Sequence, residues 1–160
     1  DFVLYESLAI MSYLDRKYSE PPLFGKTPEE TGLIWRAIAE CESYMVSAGD
    51  KVVRPIFFGK GLDKVEEIQQ AAQTLRHELN MIEERLAGSQ WLVSDKISAA
   101  DIVVFPLVQL LLRAASKEAA QPFNLGWFPL GQTFPNVARW VQRIEALPNY
   151  ERTYPPHWRQ

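Results

Sequence analysis

Residues 91–111, WLVSDKISAADIVVFPLVQLL, hold the signals of a helix start followed directly by an apolar run. Ser98 can cap the helix with its hydroxyl, Asp101 three residues on can reach back to the Ser98 amide, and Ile97 can pack on Ile102 across the turn. From Ile102 to Leu112 the sequence is apolar on every side. A helix with no polar face has to be wrapped by others, so this one is expected at the buried centre of a bundle. Pro106 is read as lying near its first turn, where proline is tolerated.

Upstream, Ile68, Ala72, Leu75, Leu79, Ile82 and Leu86 alternate steps of four and three, which predicts a helix that faces one packed neighbour. Gly88 is read as its left-handed stop. Before it, Ile34, Ile38, Cys41, Met45 and Val52 keep helical spacing over a long, half-buried helix that runs to Pro55 or just past it. Thr27, Pro28 and Glu29-Glu30 mark its start. Downstream, the loop QPFNLGWFPLGQTF over residues 121–134 precedes a last helix carrying Val137, Trp140, Val141 and Ile144, which ends near Pro148. The tail ERTYPPHWRQ is aromatic and proline-rich, too stiff for another helix.

The beginning of the chain has a different character. Phe2 to Tyr5 is the one short β-like run, and from Ser7 the apolar residues Leu8, Met11, Tyr13, Leu14 and Tyr18 form a helix of about three turns. Pro21-Pro22 closes that pattern within a Pro- and Gly-rich connection. A lone strand cannot satisfy its own backbone groups, so Phe2 to Tyr5 is expected to pair with something outside this chain or with residues removed from its front. Asp1 is accordingly read as other than the natural beginning.

Composition excludes several functions. The chain has 160 residues, 47% hydrophobic and 23% charged, with a net charge of -3. Its basic residues are scattered, so nucleic acid is not an expected partner. One cysteine, Cys41, and two distant histidines, His77 and His157, make neither an internal disulfide nor a metal site. No segment is long and apolar enough to cross a membrane, so a soluble protein in a reducing, cytoplasmic setting is expected. Cys41 falls on an apolar helix stripe and reads as core, His77 as solvated, and the Lys51, Arg54, Lys60 and Lys64 group as a solvated helix end.

Two stretches carry a resemblance. The run LYESLAIMSYLDRKY, residues 4–18, resembles the end of the thioredoxin-like domain of cytosolic glutathione transferases, where a strand meets a Glu/Gln-Ser/Thr pair at a helix start. The run WLVSDKISAADIVVFP resembles the capping motif of that family's helical C-terminal domain, W-x-x-x-D-x-x-[ST]-x-A-D, kept in Trp91, Asp95, Ser98, Ala100 and Asp101. The ending from Pro135 is similar to bacterial members. The resemblance implies an all-α fold, a C-terminal helical bundle over residues 29–160. A linker at 19–28 and a remnant of a thioredoxin-like domain, one strand and one helix, at 1–18 would precede it.

Its functional implications follow residue by residue. As bare sequence, Ser7 reads as a helix cap and Glu6 as a complement to the helix dipole. The resemblance adds that Ser7 binds the γ-glutamyl carboxylate of glutathione and that Glu6 helps hold the same end of the peptide. The electrophile pocket would draw on Tyr44, Ser47 and Lys51 of the long helix and on Trp158 of the tail, although as bare sequence Tyr44 and Trp158 read as packing aromatics. Ser98 and Asp101 are structural. The thiol-activating residue would lie upstream, so no catalytic residue is assigned in this chain, which alone is expected to be incomplete and inactive. The implied activity is addition of the glutathione thiol to an electrophilic small molecule, a detoxification reaction, by a homodimer without metal. Two alternatives stay open: a non-catalytic interaction module of the same fold, and a glutathione-dependent disulfide reductase or isomerase.

Overall fold

A computed structural model describes residues 2–158; Asp1, and with it the expectation about the start of the chain, lies outside the described residues. Seven α-helices appear among them: α1 (Ser7–Lys17), α2 (Pro28–Glu40), α3 (Val46–Phe57), α4 (Val65–Ala87), α5 (Ala99–Ala115), α6 (Leu130–Thr133) and α7 (Pro135–Glu145). No strand is formed among the described residues. Phe2 to Tyr5 has no ladder partner here, and its four side chains are exposed, as follows for a short apolar run with no neighbour to pair with.

The long helix predicted from Thr27 onward is a rod of three parts. Thr27 caps it by accepting the Glu30 amide at 3.2 Å, and Pro28 fills the first helical position, where an N–H would have no partner. Between α2 and α3 a π-turn, Cys41–Met45, inserts a wider coil. The buried stripe continues across it through Cys41, Met45, Ala48, Val52 and Ile56. At the end of α4, Gly88 has φ -112, so the expected left-handed stop is absent and the helix closes into the bends of residues 89–96 instead.

α5 occupies the centre, packed against α2 and α3, but it is not wrapped on all sides. Val104, Val108, Leu111 and Ala114 are buried, whereas Ile102 is 38% exposed and Pro106 is exposed. The apolar run therefore has one face open to a cleft beneath the C-terminal tail. Pro106 is the eighth residue of α5, in its third turn rather than its first, and its exposed position lets the helix lose one amide without burying the orphaned carbonyl's surroundings. Gly49 lets α3 approach closely, since a Cβ there would stand 3.3 Å from Leu107 Cδ1.

Polar anchors fix the remaining elements. The Glu83 carboxylate on α4 accepts the amides of Asn136 and Val137, both at 2.9 Å, and so caps α7 from a neighbouring helix. Asp15 on α1 accepts the Leu23 amide at 2.6 Å, while the Leu23 carbonyl accepts the Ala99 amide at 2.8 Å. The connection after α1 is thereby fastened to the start of the central helix. The loop before α7 contributes Phe123, Trp127 and Phe134, all fully buried, around a short 3-10 turn (Glu118–Phe123) and α6. The tail forms two 3-10 turns, Tyr150–Arg152 and Pro156–Trp158, and no α-helix among the described residues.

Candidate functional site

At the start of α1, Glu6 rather than Ser7 holds the cap position, and Ser7 is the first helical residue. Glu6 adopts φ 73 and ψ 121, a region that a residue with a side chain occupies only at a cost of about 1–3 kcal/mol. The Glu6 carbonyl accepts the Ile10 amide at 2.9 Å, yet no side chain caps the helix. The amides of Ser7, Leu8 and Ala9 therefore have no acceptor among the described residues, and both Glu6 and Ser7 are exposed. Three N–H groups, a hydroxyl and the positive end of the helix dipole share one open position beside a carboxylate. Such a position suits the carboxylate and ammonium of an amino-acid end group.

The capping motif of α5 is present and extends beyond its predicted pair. Oδ2 of Asp101 accepts the Ser98 amide and the Ser98 hydroxyl, each at 2.9 Å. Oδ1 accepts the Leu92 amide at 3.0 Å and the Trp140 indole N–H at 2.9 Å. Asp101 is fully buried, and all four donors converge on its carboxylate from three parts of the chain.

The other predicted residues are dispersed. Tyr44, 55% exposed and hence no buried packing residue, lines a cavity of about 190 Å³ with Glu40, Cys41, His77, Glu78 and Arg85. Cys41 there is buried core, its thiol pushed up to about 12 by burial first and by Glu42 and Glu78 after it. Burial also raises the Glu78 carboxyl, with His77 opposing. Ser47 is exposed on α3, and Lys51 lines a separate depression with Asp50, Arg54 and Lys64, in which Arg54 pairs with Asp50 at 3.1 Å. Trp158 lines a third, mostly apolar cleft between α5 and the tail, with Ile102, Phe105, Tyr150 and Tyr154. Tyr44, Lys51 and Trp158 thus line three different cavities.

Sequence reasoning missed a cluster at the far end of α5. The guanidinium carbon of Arg113 lies 4.9 Å from the centre of the Phe57 ring and 4.8 Å from that of the Trp158 ring. From Trp158 the rings of Tyr154, Tyr150 and Phe105 follow edge-to-face at 6.0, 6.2 and 5.8 Å. The available signal was Arg113 itself, the one charged residue between Asp101 and Ser116 in an otherwise apolar helix.

With this geometry in place, comparison with known proteins decides the family. Residues 44–148 match the family described as glutathione S-transferase, C-terminal domain. The chain belongs to that family. Among curated relatives, glutathione S-transferase F6 of Arabidopsis thaliana is 27% identical over 161 residues, covering 95% of this chain and 70% of the relative. Glutathione S-transferase theta-1 of Mus musculus is 29% identical over 152 residues, covering 91% of this chain and 58% of the relative. Glutathione S-transferase F10 of Arabidopsis thaliana is 30% identical over 125 residues, covering 73% of this chain and 57% of the relative. The chain thus spans between 57% and 70% of the length of these glutathione S-transferases.

Solved structures show the same fold. A Burkholderia graminis glutathione transferase, described with two glutathione molecules bound per subunit, superposes with a TM-score of 0.75 at 24% identity, over 93% of this chain and 58% of that one. Poplar glutathione transferase F1 gives 0.73 at 21% identity, over 95% and 68%. The family match begins at Tyr44, so α1 with Glu6 and Ser7 precedes the matched segment.

Proposed function

We propose that this chain is part of a cytoplasmic glutathione transferase of bacterial type that detoxifies electrophilic small molecules. The observation that carries the reading is the uncapped first turn of α1, where Ser7, Leu8 and Ala9 present free amides directly after the strained Glu6. Membership in the glutathione S-transferase C-terminal domain family supports it, as do relatives that are named glutathione S-transferases. In this reading the γ-glutamyl carboxylate sits on the Ser7 hydroxyl and the adjacent amides, and the Glu6 carboxylate accepts from the α-ammonium. The sulfur of glutathione, as thiolate, forms a bond to an electrophilic carbon. A leaving group departs with the electron pair, or the adduct takes up a proton. The proposal assigns thiol activation to no residue of this chain.

Residues 1–18 then act as the end of a thioredoxin-like unit, 19–28 as linker and 29–160 as the helical domain. The outward Ile10 and Leu14 on α1 and Tyr18 just past its end support a homodimer whose interface includes α1 and the α2–α3 rod. Sedimentation should read twice the 18.4 kDa of one chain; a single-chain mass at micromolar concentration would remove that part of the proposal. The site itself is tested by following backbone amide resonances during titration with reduced glutathione. The largest shifts are expected at Ser7, Leu8 and Ala9. Shifts absent there, or confined to another region, would contradict the reading.

A further inference from the structure

Among the described residues, none from α1 lines the cleft between α5 and the tail, so the glutathione reading leaves this cleft unassigned. Its volume is about 530 Å³, and three parts of the chain enclose it. Ile102 and Pro106 stand one turn apart on α5, Ile144 and Leu147 lie at and just past the end of α7, and Tyr150 and Tyr154 come from the tail. An apolar cleft in water closes on itself unless its walls are held apart. Here they are held. Gln109 on α5 donates its side-chain amide to the Glu145 carboxylate on α7 at 2.7 Å. In the tail, the Tyr150 carbonyl accepts the Thr153 amide at 2.8 Å and the Thr153 hydroxyl at 2.7 Å, while the Tyr150 ring meets Phe105 edge-to-face at 5.8 Å. Ile102 therefore stays 38% exposed in a preformed site.

The lining defines the ligand. Among the described residues, Asp101 is the one carboxylate that lines the cleft, and no lysine or arginine does. Each oxygen of Asp101 already accepts two donors, which fills the acceptor positions of a carboxylate and leaves none for a ligand cation. A charged molecule would lose its hydration here without finding a partner. The rings of Phe105, Tyr150, Tyr154 and Trp158 follow one another edge-to-face at 5.8, 6.2 and 6.0 Å, a series that a further aromatic ring can extend. A cavity of about 150 Å³ holds one benzene, so this cleft has room for about two or three rings. We propose that it is a binding site for uncharged aromatic molecules of that size, occupied without glutathione. The inference goes beyond the transferase reading and does not rest on it. The rival occupant is polypeptide, a second copy of this chain laid along Ile102 and Pro106.

The test titrates the chain, without glutathione, with the uncharged fluorescent probe N-phenyl-1-naphthylamine and with its sulfonate, 1-anilinonaphthalene-8-sulfonate. One uncharged probe per chain is expected, with a Kd of about 10 µM, and the sulfonate should bind about tenfold more weakly. Ile102→Glu and Pro106→Glu each bring a carboxylate into the cleft from an exposed position of α5, and each should weaken the uncharged probe about tenfold. Phe58→Glu, exposed outside the cleft, should leave it within about twofold. Backbone amide resonances of the original chain locate the probe without any variant: Ile102, Phe105 and Tyr150 should move most. No binding, a sulfonate bound as tightly as the uncharged probe, shifts confined to another region, or an affinity that both cleft variants leave unchanged would overturn the proposal. A dimer of the original chain that excludes the probe, and that Ile102→Glu dissociates, would give the cleft to a second copy and overturn it as well. Circular dichroism checks the fold of each variant, and where a variant has lost its helices the amide shifts of the original chain decide.

Discussion

Asp101 shows how much one side chain can hold together. Its carboxylate takes the Ser98 amide and hydroxyl at the start of α5, the Leu92 amide from the preceding loop and the Trp140 indole from α7. Removing it leaves buried donors without acceptors in three elements, each of which then bears a desolvation penalty. Asp101→Ala is expected to lower stability by about 4 kcal/mol in urea titrations, a sum of partly coupled hydrogen bonds to a charged group. A loss under about 1 kcal/mol would mean the network adds little beyond an ordinary cap. The Ser98–Asp101 half was legible in the sequence because a capping box is local, three residues apart. Leu92 and Trp140 were not, since pairing across 9 and 39 residues depends on how the helices pack. Cys41 gives a second residue-scale prediction. Burial holds its thiol at about 12 rather than 9.0, so at pH 8 the thiolate fraction is about a thousandfold below that of a free cysteine. A disulfide reagent should therefore label it only after unfolding, and rapid labelling of the folded chain at pH 8 would contradict the burial described.

At the scale of elements, periodicity located the helices and failed where their environment decides. The α4 stripe and the start of the long rod were readable because each buried residue recurs on one face. The π-turn at Cys41–Met45 was not, because the residues around it keep their apolar spacing while the coil widens beneath them. α5 was read as wrapped on all sides, yet hydrophobicity reports what a helix could bury, and here the cleft under the tail leaves Ile102 and Pro106 uncovered. Close packing of α3 on α5 depends on Gly49, where a Cβ meets Leu107 at 3.3 Å and Leu111 at 3.9 Å. Gly49→Leu has to push the two helices apart and is expected to destabilise the fold by about 2 kcal/mol in chemical denaturation. A neutral or stabilising result would show that the α3–α5 contact has slack the structure does not display.

For the whole molecule, the all-helical fold was legible from a few stretches, and the family resemblance carried by residues 91–106 agrees with the match over 44–148. The site was legible only in part. The Glu6-Ser7 pair could be singled out because it sits where a β-like run becomes a helix, but the exchange of their cap positions and the positive φ of Glu6 are backbone facts that no residue pattern states. The electrophile residues were harder still: Tyr44 lies in the π-turn while Ser47 and Lys51 lie on α3, Tyr44 and Lys51 line different cavities, and the cluster of Phe57, Arg113 and Trp158 joins three elements that are remote in sequence. Everything proposed about activity passes through the open first turn of α1. Calorimetric titration of reduced glutathione into this chain and into Ser7→Ala tests that most directly. The account predicts saturable binding to the original chain and about tenfold weaker binding to the variant, the loss of one hydrogen bond to a carboxylate. Binding that Ser7→Ala leaves unchanged, or no binding to either protein, would contradict it.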